Sequence, residues 1–510
     1  MALEATCDVG LYGLAVMGQN FALNMASKGF RVAVCNRSPE KVDITVTRAA
    51  DEGELPLQGF KDPADFVASI KRPRRVMMLV MAGKPVDDTI SLLSLHLEEG
   101  DVLVDGGNEW FPNTIRRGAD LKDLGIHFVG MGVSGGEDGA RHGSSLMPGC
   151  DKVAFDLLEP ILNECAAQVG GDACTTHCGP LGAGNYVKMV HNGIEYGDMQ
   201  LIAEVYDALK VAGGLDNEAL KRCFEDWNES ELQSYLIEIT AVILGKETSD
   251  GSGAYVVDQI VDQTGMKGTG RWTVQEAAEQ SAPCPTLTSA LDARYLSARK
   301  EERVEASITL LGPSEIPQVD IGQLVDDAKQ ALYMAKVCSY AQGMELIRAA
   351  SEAHDWQINR AECARIWKGG CIIRAAFLDR IQAAFTKNPD LSNLMMDSSF
   401  AAELNSRQLA TRRFVTLAMS CGVPVPALSA SLCYFDSYRR ARLPANLTQA
   451  QRDFFGGHSY KKVGEEGDFT SRRKKLAIYE YIAIISFMLF VIWFRNQLQP
   501  RLTGDRGDNK

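Results

Sequence analysis

The stretch from Asp8 to Asn36 constrains this chain more than any other. It reads DVGLYG, then LAVMGQNFALNMASKG, then FRVAVCN: an apolar strand, a glycine turn, a helix and a second apolar strand. The turn is Gly13-Leu14-Ala15-Val16-Met17-Gly18, a GxAxxG pattern. Gly13 permits the sharp turn, Ala15 is small enough for a diphosphate to come close, and Gly18 lets the helix pack on the strand. The first turn of the helix then offers its free amides and positive dipole end to that diphosphate. The second strand ends in Cys35-Asn36-Arg37-Ser38. A site for NAD would carry an acidic residue here to hold the ribose 2′-hydroxyl. Neutral Asn36, cationic Arg37 and hydroxyl-bearing Ser38 suit a 2′-phosphate instead, so NADP is the predicted cofactor.

Further strand-like runs follow at Arg75–Val80, Asp101–Asp105 and Ile126–Gly130, separated by helical segments. Alternation of this kind predicts a parallel, doubly wound sheet with ligands at the strand C-termini. Beyond GPLGAG, 179–184, the pattern turns helical as far as about Leu443, and the stretches 185–245 and 325–440 resemble one helical unit used twice. A length of 510 residues accommodates several domains. The expected fold is an α/β Rossmann-type N-terminal domain, 1–182, followed by a large all-α, duplicated helical domain, 183–443. A tail follows at 444–475, then an apolar segment at 476–494 and a polar C-terminus at 495–510.

Within the helical region, Lys188, His191, Asn192 and Glu195 recur at i, i+3, i+4 and i+7, which places them in one stripe. Met189, Val190 and Ile194 fall on the other side. Such a stripe either lines a site or forms a solvated face with a Lys–Glu pair, and spacing alone does not choose between them. Two glycine-rich runs stand where strands should end: Asp105-Gly106-Gly107-Asn108 and Gly132-Val133-Ser134-Gly135-Gly136-Glu137. Lys267-Gly268-Thr269-Gly270-Arg271-Trp272, Arg294 and Gln451-Arg452-Asp453 add separated cations. The net charge of −13 excludes non-specific nucleic-acid binding, and those cations would offset the acidic background for a phosphorylated substrate. Thirteen cysteines show no CxxC pair, and Cys174 with Cys178 lacks a second pair, so no metal site is expected and a reducing compartment is. The start, MALEATCDVG, has neither a basic nor an apolar leader pattern, so no signal or transit peptide is expected.

Taken together, GLAVMG, CNRS, DGGN, GVSGGEDGA, KMVHNGIEYGDMQLI, KGTGRW, CIIR, LPANLTQAQRD and GGHSY resemble the 6-phosphogluconate dehydrogenase family, in order, over residues 1–470. The related β-hydroxyacid dehydrogenases share the glycine turn and a lysine helix, but they are shorter and lack the HNGIEYGD run. The resemblance implies NADP-dependent oxidative decarboxylation of 6-phospho-D-gluconate to D-ribulose 5-phosphate and CO2, the third step of the oxidative pentose phosphate pathway. It implies that Lys188 is the general base at the C3 hydroxyl and that Glu195 protonates C1 of the enediol. Asn108, Ser134, Gly135, Gly136, His191 and Asn192 match positions that hold the carboxylate and hydroxyls. Tyr196, Lys267, Thr269 and Arg294 match phosphate contacts. Arg452 and His458 match tail residues that enter the neighbouring subunit's site, which implies a homodimer. Gly13 to Gly18, Asn36, Arg37, Ser38, Val80, Met81, Ala82 and Asn108 match the cofactor site.

Two departures stand out. Many members carry a lysine in a VKAG run, where this chain has Val80-Met81-Ala82-Gly83, so altered NADP affinity is expected. The usual tail ending is replaced by SRRKK, 471–475, and LAIYEYIAIISFMLFVIWF, 476–494, with Glu480 its single charge. Nearly twenty apolar residues, Tyr479, Tyr481 and Trp493 near the ends, and flanking basic residues (Arg495, Arg501 and Arg506 on the far side) predict a transmembrane tail anchor. The catalytic body would then face the cytosol; a helix buried in an oligomer is the other reading. A membrane-tethered, non-catalytic protein that senses or scaffolds NADP or sugar phosphate is the competing function. Retention of both Lys188 and Glu195 speaks against it.

Overall fold

Residues Val9–Tyr12 (β1), Val32–Cys35 (β2) and Val102–Asp105 (β5) are buried along their whole length, the signature of parallel strands covered on both faces. In the computed structural model, which describes residues 4–498, they join Leu57–Phe60 (β3), Arg75–Met78 (β4), His127–Ser134 (β6) and Ser145–Gly149 (β7). One seven-stranded sheet results, in the order β3-β2-β1-β4-β5-β6-β7. All neighbours run parallel except β7, which is antiparallel to β6. Alternate strand residues serve different cores: Val9, Leu11, Val32, Val34 and Val104 pack on one side, Ala33, Cys35, Val76, Met78 and Leu103 on the other. Each fully buried Val or Leu contributes roughly 1.5–3 kcal/mol, enough to hold strands this short.

The register places the site. Tyr12 pairs with Cys35 and with Met78, Met78 with Asp105, and Asp105 with Gly130. The strands therefore finish on one line, and the glycine turn, Asn36-Arg37, the Val80–Gly83 loop and the Gly106–Asn108 loop all issue from it. Strand order reverses between β1 and β4, the topological switch point where such sheets bind ligands. Strands β3 and β7 lie outside the runs expected from sequence. β3 is a half-exposed edge strand, and β7 contains Pro148.

From Ala183 onward the named elements are helical. Ala183–Gly213 and Ile321–Ala353, of 31 and 33 residues, pack together through a single core with the shorter helices around them.

The chain divides into a unit of residues 1–435 and a second of 436–510. In the second, helix Ala445–Gly456 leads into a turn held by Asp453. Its carboxylate accepts hydrogen bonds from the Ser459 and Ser471 amides and from the Thr470 hydroxyl. Residues Arg472–Leu498 form the last helix. Among the described residues no helix is long and apolar enough to cross a membrane. The transmembrane segment expected at 476–494 is corrected accordingly, and the tail anchor built on it is left without support. Glu480 interrupts the segment. The uncharged run Tyr481–Phe494 rises only about 21 Å at 1.5 Å per residue, short of a hydrocarbon layer of about 30 Å. Arg501 and Arg506 lie outside the described residues.

Candidate active site

The glycine turn has the close contacts its pattern predicts. Gly13 has φ of +101°, and a Cβ on Gly18 would sit 1.8 Å from the Gly13 carbonyl oxygen. Helix Val16–Ser27 follows, and Ala15 at its N-cap makes no side-chain cap, leaving that end to a ligand. Asn36 shapes the turn itself: its Oδ1 accepts from the Leu14 amide at 2.9 Å, and its Nδ2 donates to the Ser38 carbonyl at 3.1 Å. Arg37 is exposed beside it, as are Val16 in the first turn of the helix and Met81 and Asn108 on neighbouring loops. A cradle closed to side chains, an uncapped helix end and an exposed guanidinium fit a dinucleotide with a 2′-phosphate.

On helix Ala183–Gly213 the polar stripe has Lys188 and His191 buried and Asn192 and Glu195 half-buried, and the opposite side with Met189, Val190 and Ile194 is buried too, so the stripe is not a solvated face. Lys188 is 6% exposed and His191 0%. Strand β6 delivers Ser134 to them. Lys188 Nζ donates to Ser134 Oγ at 3.0 Å and to Asn192 Oδ1 at 2.8 Å. Ser134 Oγ lies 3.3 Å from His191 Nε2, and His191 Nδ1 lies 3.1 Å from Asn192 Oδ1. One proton arrangement satisfies the ring: Ser134 donates to Nε2, and a neutral imidazole donates through Nδ1. Burial, with Lys188 alongside, pushes His191 well below the ordinary histidine range, which agrees. Burial also lowers Lys188, against the opposing charge of Glu195. A neutral amine has two N–H donors and one lone pair; both donors are used here, and the lone pair remains for a substrate proton.

Glu195 is part-exposed, with its carboxylate 4.0 Å from His191 Nδ1. Burial raises it above the ordinary carboxylate range; Lys188 and Arg294 oppose this and Asp198 assists. A carboxyl raised in this way holds its proton to higher pH than an ordinary glutamate, which suits it to donate one. Asn192 Nδ2 donates to Thr269 Oγ1 at 2.9 Å, bringing the KGTGRW run to the stripe. The Arg294 guanidinium stacks 3.4 Å from the Tyr196 ring centroid, and Lys267 is exposed nearby, its backbone meeting the Tyr196 hydroxyl. Arg452 and His458 belong to the second unit, where both are exposed.

Several residues escaped the sequence reading. Gly370 forms a wall of the site: its carbonyl accepts from the Ser145 amide at 2.8 Å, and a Cβ on Gly135 would lie 2.6 Å from it. Trp367 packs its ring edge-on to His191 with centroids 5.7 Å apart. Asp105, buried at the end of β5, caps the Gly107 amide at 2.9 Å, and burial pushes its carboxyl up to about 6. Glu109, Trp110, Arg117 and Trp272 connect the two halves of the site. The CIIR run hinted at the Gly370 loop, and Asp105 and Trp272 stood inside the DGGN and KGTGRW runs without a role of their own, but Glu109, Trp110, Arg117 and Trp367 had no local signal.

Comparison with known proteins agrees with this geometry. Residues 8–179 match the family model described as the NAD binding domain of 6-phosphogluconate dehydrogenase, and residues 184–473 match its C-terminal domain. A decarboxylating 6-phosphogluconate dehydrogenase of Spinacia oleracea is 57% identical, over 92% of this chain and 98% of its own length. The NADP(+)-dependent, decarboxylating enzyme of Bacillus subtilis is 49% identical, over 91% and 98%. Plasmodium falciparum 6-phosphogluconate dehydrogenase has been solved in its apo form and in complex with its cofactor NADP+ and with its substrate 6-phosphogluconate. That structure superposes with a TM-score of 0.87 at 47% identity, covering 91% of this chain and 100% of that one. An N-terminal Rossmann sheet, a large helical region and a buried lysine between them thus have one common explanation: the chain belongs to the 6-phosphogluconate dehydrogenase family.

Proposed function

We propose that this chain catalyses the oxidative decarboxylation of 6-phospho-D-gluconate to D-ribulose 5-phosphate and CO2, coupled to reduction of NADP. The hydrogen-bond ring that leaves Lys188 a free lone pair carries this reading. Lys188 removes the proton of the C3 hydroxyl. Bound NADP supplies the acceptor for the C3 hydride. The resulting 3-keto acid has a carbonyl β to its carboxylate, so electrons released with CO2 have an internal sink. Lys188, now an ammonium, polarises that carbonyl and gives its proton to the oxygen as CO2 leaves and the enediol forms. Glu195 then protonates C1 of the enediol while Lys188 takes back the C2 hydroxyl proton to restore the ketone, and both groups exchange protons with solvent to complete the cycle. Positioned acid–base groups of this kind contribute roughly 10²–10⁴-fold each.

Asn108, Ser134, Gly135, Gly136, His191 and Asn192 hold the sugar acid's carboxylate and hydroxyls; Tyr196, Lys267, Thr269 and Arg294 receive its phosphate. Residues 1–182 serve the cofactor and 183–443 the substrate and the dimer contact. The 444–475 arm offers Arg452 and His458 to a second copy, making the working form a homodimer. All thirteen cysteines are free, which supports a reducing compartment such as the cytoplasm. The test is turnover: the full chain with 6-phosphogluconate should yield NADPH and CO2 in equal amounts, with NAD a poor substitute. Binding of both ligands without turnover would favour the sensor reading instead.

A further inference from the structure

Two ligand loops, one from each half of the site, meet through a pair of tryptophans. On the cofactor side, the Gly83 amide donates to Glu109 Oε2 at 2.8 Å, and Arg117 Nη2 donates to the Gly83 carbonyl at 2.9 Å. The loop Val80–Gly83 is therefore clamped at both backbone groups of its last residue. Arg117 Nη1 in turn donates to Glu109 Oε2 at 2.6 Å, and both side chains are only 2% exposed. The other oxygen of Glu109 accepts from the Trp110 amide at 2.8 Å, so the carboxylate joins the Val80–Gly83 loop to the loop carrying Asn108.

From there the contact is aromatic. The rings of Trp110 and Trp272 lie 5.5 Å apart between centroids, tilted by 36°. Trp272 sits one turn beyond Thr269 in helix Thr269–Glu279, and its amide donates to the Gly268 carbonyl at 3.1 Å. Thr269 accepts from Asn192, which accepts from Lys188. The route thus runs from Gly83 through Glu109, Trp110 and Trp272 to the Gly268 carbonyl, and from Thr269, the next residue in the chain, through Asn192 to the lysine. No residue of this route between Gly83 and Thr269 was among the expected ligand contacts.

We propose that Glu109, Trp110 and Trp272 are positioning residues that couple the cofactor subsite to the phosphate and base subsites, so that each ligand tightens the binding of the other. The proposal rests on the reading of the site given under Proposed function. Ordering Val80–Gly83 around a cofactor orders Asn108 and Trp110 through Glu109, and the tryptophan contact carries that order to Lys267–Thr269. By linkage the effect is reciprocal.

The experiment titrates the full-length protein calorimetrically with 6-phosphogluconate, alone and with saturating NADPH, a pairing that gives no forward turnover. The unaltered chain should bind 6-phosphogluconate at least about fivefold more tightly with NADPH present. In Trp272→Ala and Trp110→Ala that ratio should fall to about one, while each separate Kd moves less than about threefold. Trp272→Phe, which keeps an aromatic face, should recover most of the ratio. Glu109→Gln, which keeps its size and loses its charge, should reduce it. An unchanged ratio in both alanine variants, or a ratio of one in the unaltered chain, overturns the proposal. Failure of the unaltered chain to bind 6-phosphogluconate at all would sink the functional reading itself, a distinct result.

Discussion

Lys336 Nζ lies 2.5 Å from Asp198 Oδ2, and neither side chain is more than 1% exposed. The pair joins the two long helices, Ile321–Ala353 and Ala183–Gly213, one turn beyond Glu195. Burying two charges gains little net stability, but removing one partner strands the other in the interior. Lys336→Met should therefore destabilise the fold by about 3–5 kcal/mol in denaturant unfolding. The double variant Lys336→Met with Asp198→Asn should recover much of that loss. A single variant within about 1 kcal/mol of the parent would mean that water reaches the stranded carboxylate.

Lys188 and Glu195 set opposite limbs of the pH profile. Burial holds the lysine below its ordinary range, and burial holds the carboxyl above its own. Oxidation needs a neutral lysine, so it is lost as pH falls through the folded Lys188 value. Protonation of the enediol needs a protonated Glu195, so it is lost as pH rises through the folded Glu195 value. Glu195→Gln should lower kcat by roughly 10²–10⁴-fold and erase the alkaline limb. Lys188→Met should abolish oxidation while NADP still binds; substantial surviving NADPH formation would remove Lys188 as the base.

Cofactor choice should reside in Arg37. A charge-assisted hydrogen bond to phosphate contributes roughly 1.5–3 kcal/mol. Arg37→Ala should therefore raise KM for NADP about 10–100-fold and leave KM for NAD within about twofold. Equal loss for both cofactors would show that the variant disturbs the turn rather than the 2′-phosphate contact.

Met81 is 76% exposed at the Val80–Gly83 loop, where the family resemblance leads to the expectation of a lysine. Met81→Lys should tighten NADP binding by a few-fold, reflecting the about 1 kcal/mol ceiling for an exposed charge pair. The gain should vanish in high salt, because exposed charges are screened. A gain that persists there would point to packing instead.

The line of strand ends was legible because its residues carry local signals: Gly13 and Gly18 punctuate the turn, and Val32–Cys35 is an unbroken apolar run. The edge strands were not. In Leu57–Phe60 only Phe60 is buried, and Pro148 argues against a strand unless its neighbours are known. The stripe from Lys188 to Glu195 was visible through its helical period, yet its burial depends on Ser134, Thr269 and Trp367, all distant in sequence. Trp110 and Trp272 could not be paired in advance, since each lies in an ordinary half-apolar helix start. At the tail, 476–494 reads as spanning when Glu480 is counted as its single charge, yet no helix among the described residues is long and apolar enough to do so.

The backbone contact between Gly135 and the Gly370 carbonyl has one more consequence. Nothing thicker than a hydrogen atom fits on the Gly135 α-carbon, and a Cβ on Gly370 would in turn lie 2.6 Å from the Gly143 carbonyl. With Ser145 bonded across the same seam, sheet and helices are riveted there main chain to main chain. Any side chain at Gly135 or Gly370 would wedge this seam open, so the spacing between Ser134 on the sheet and the Gly370 loop is set by two α-carbons that carry no side chain.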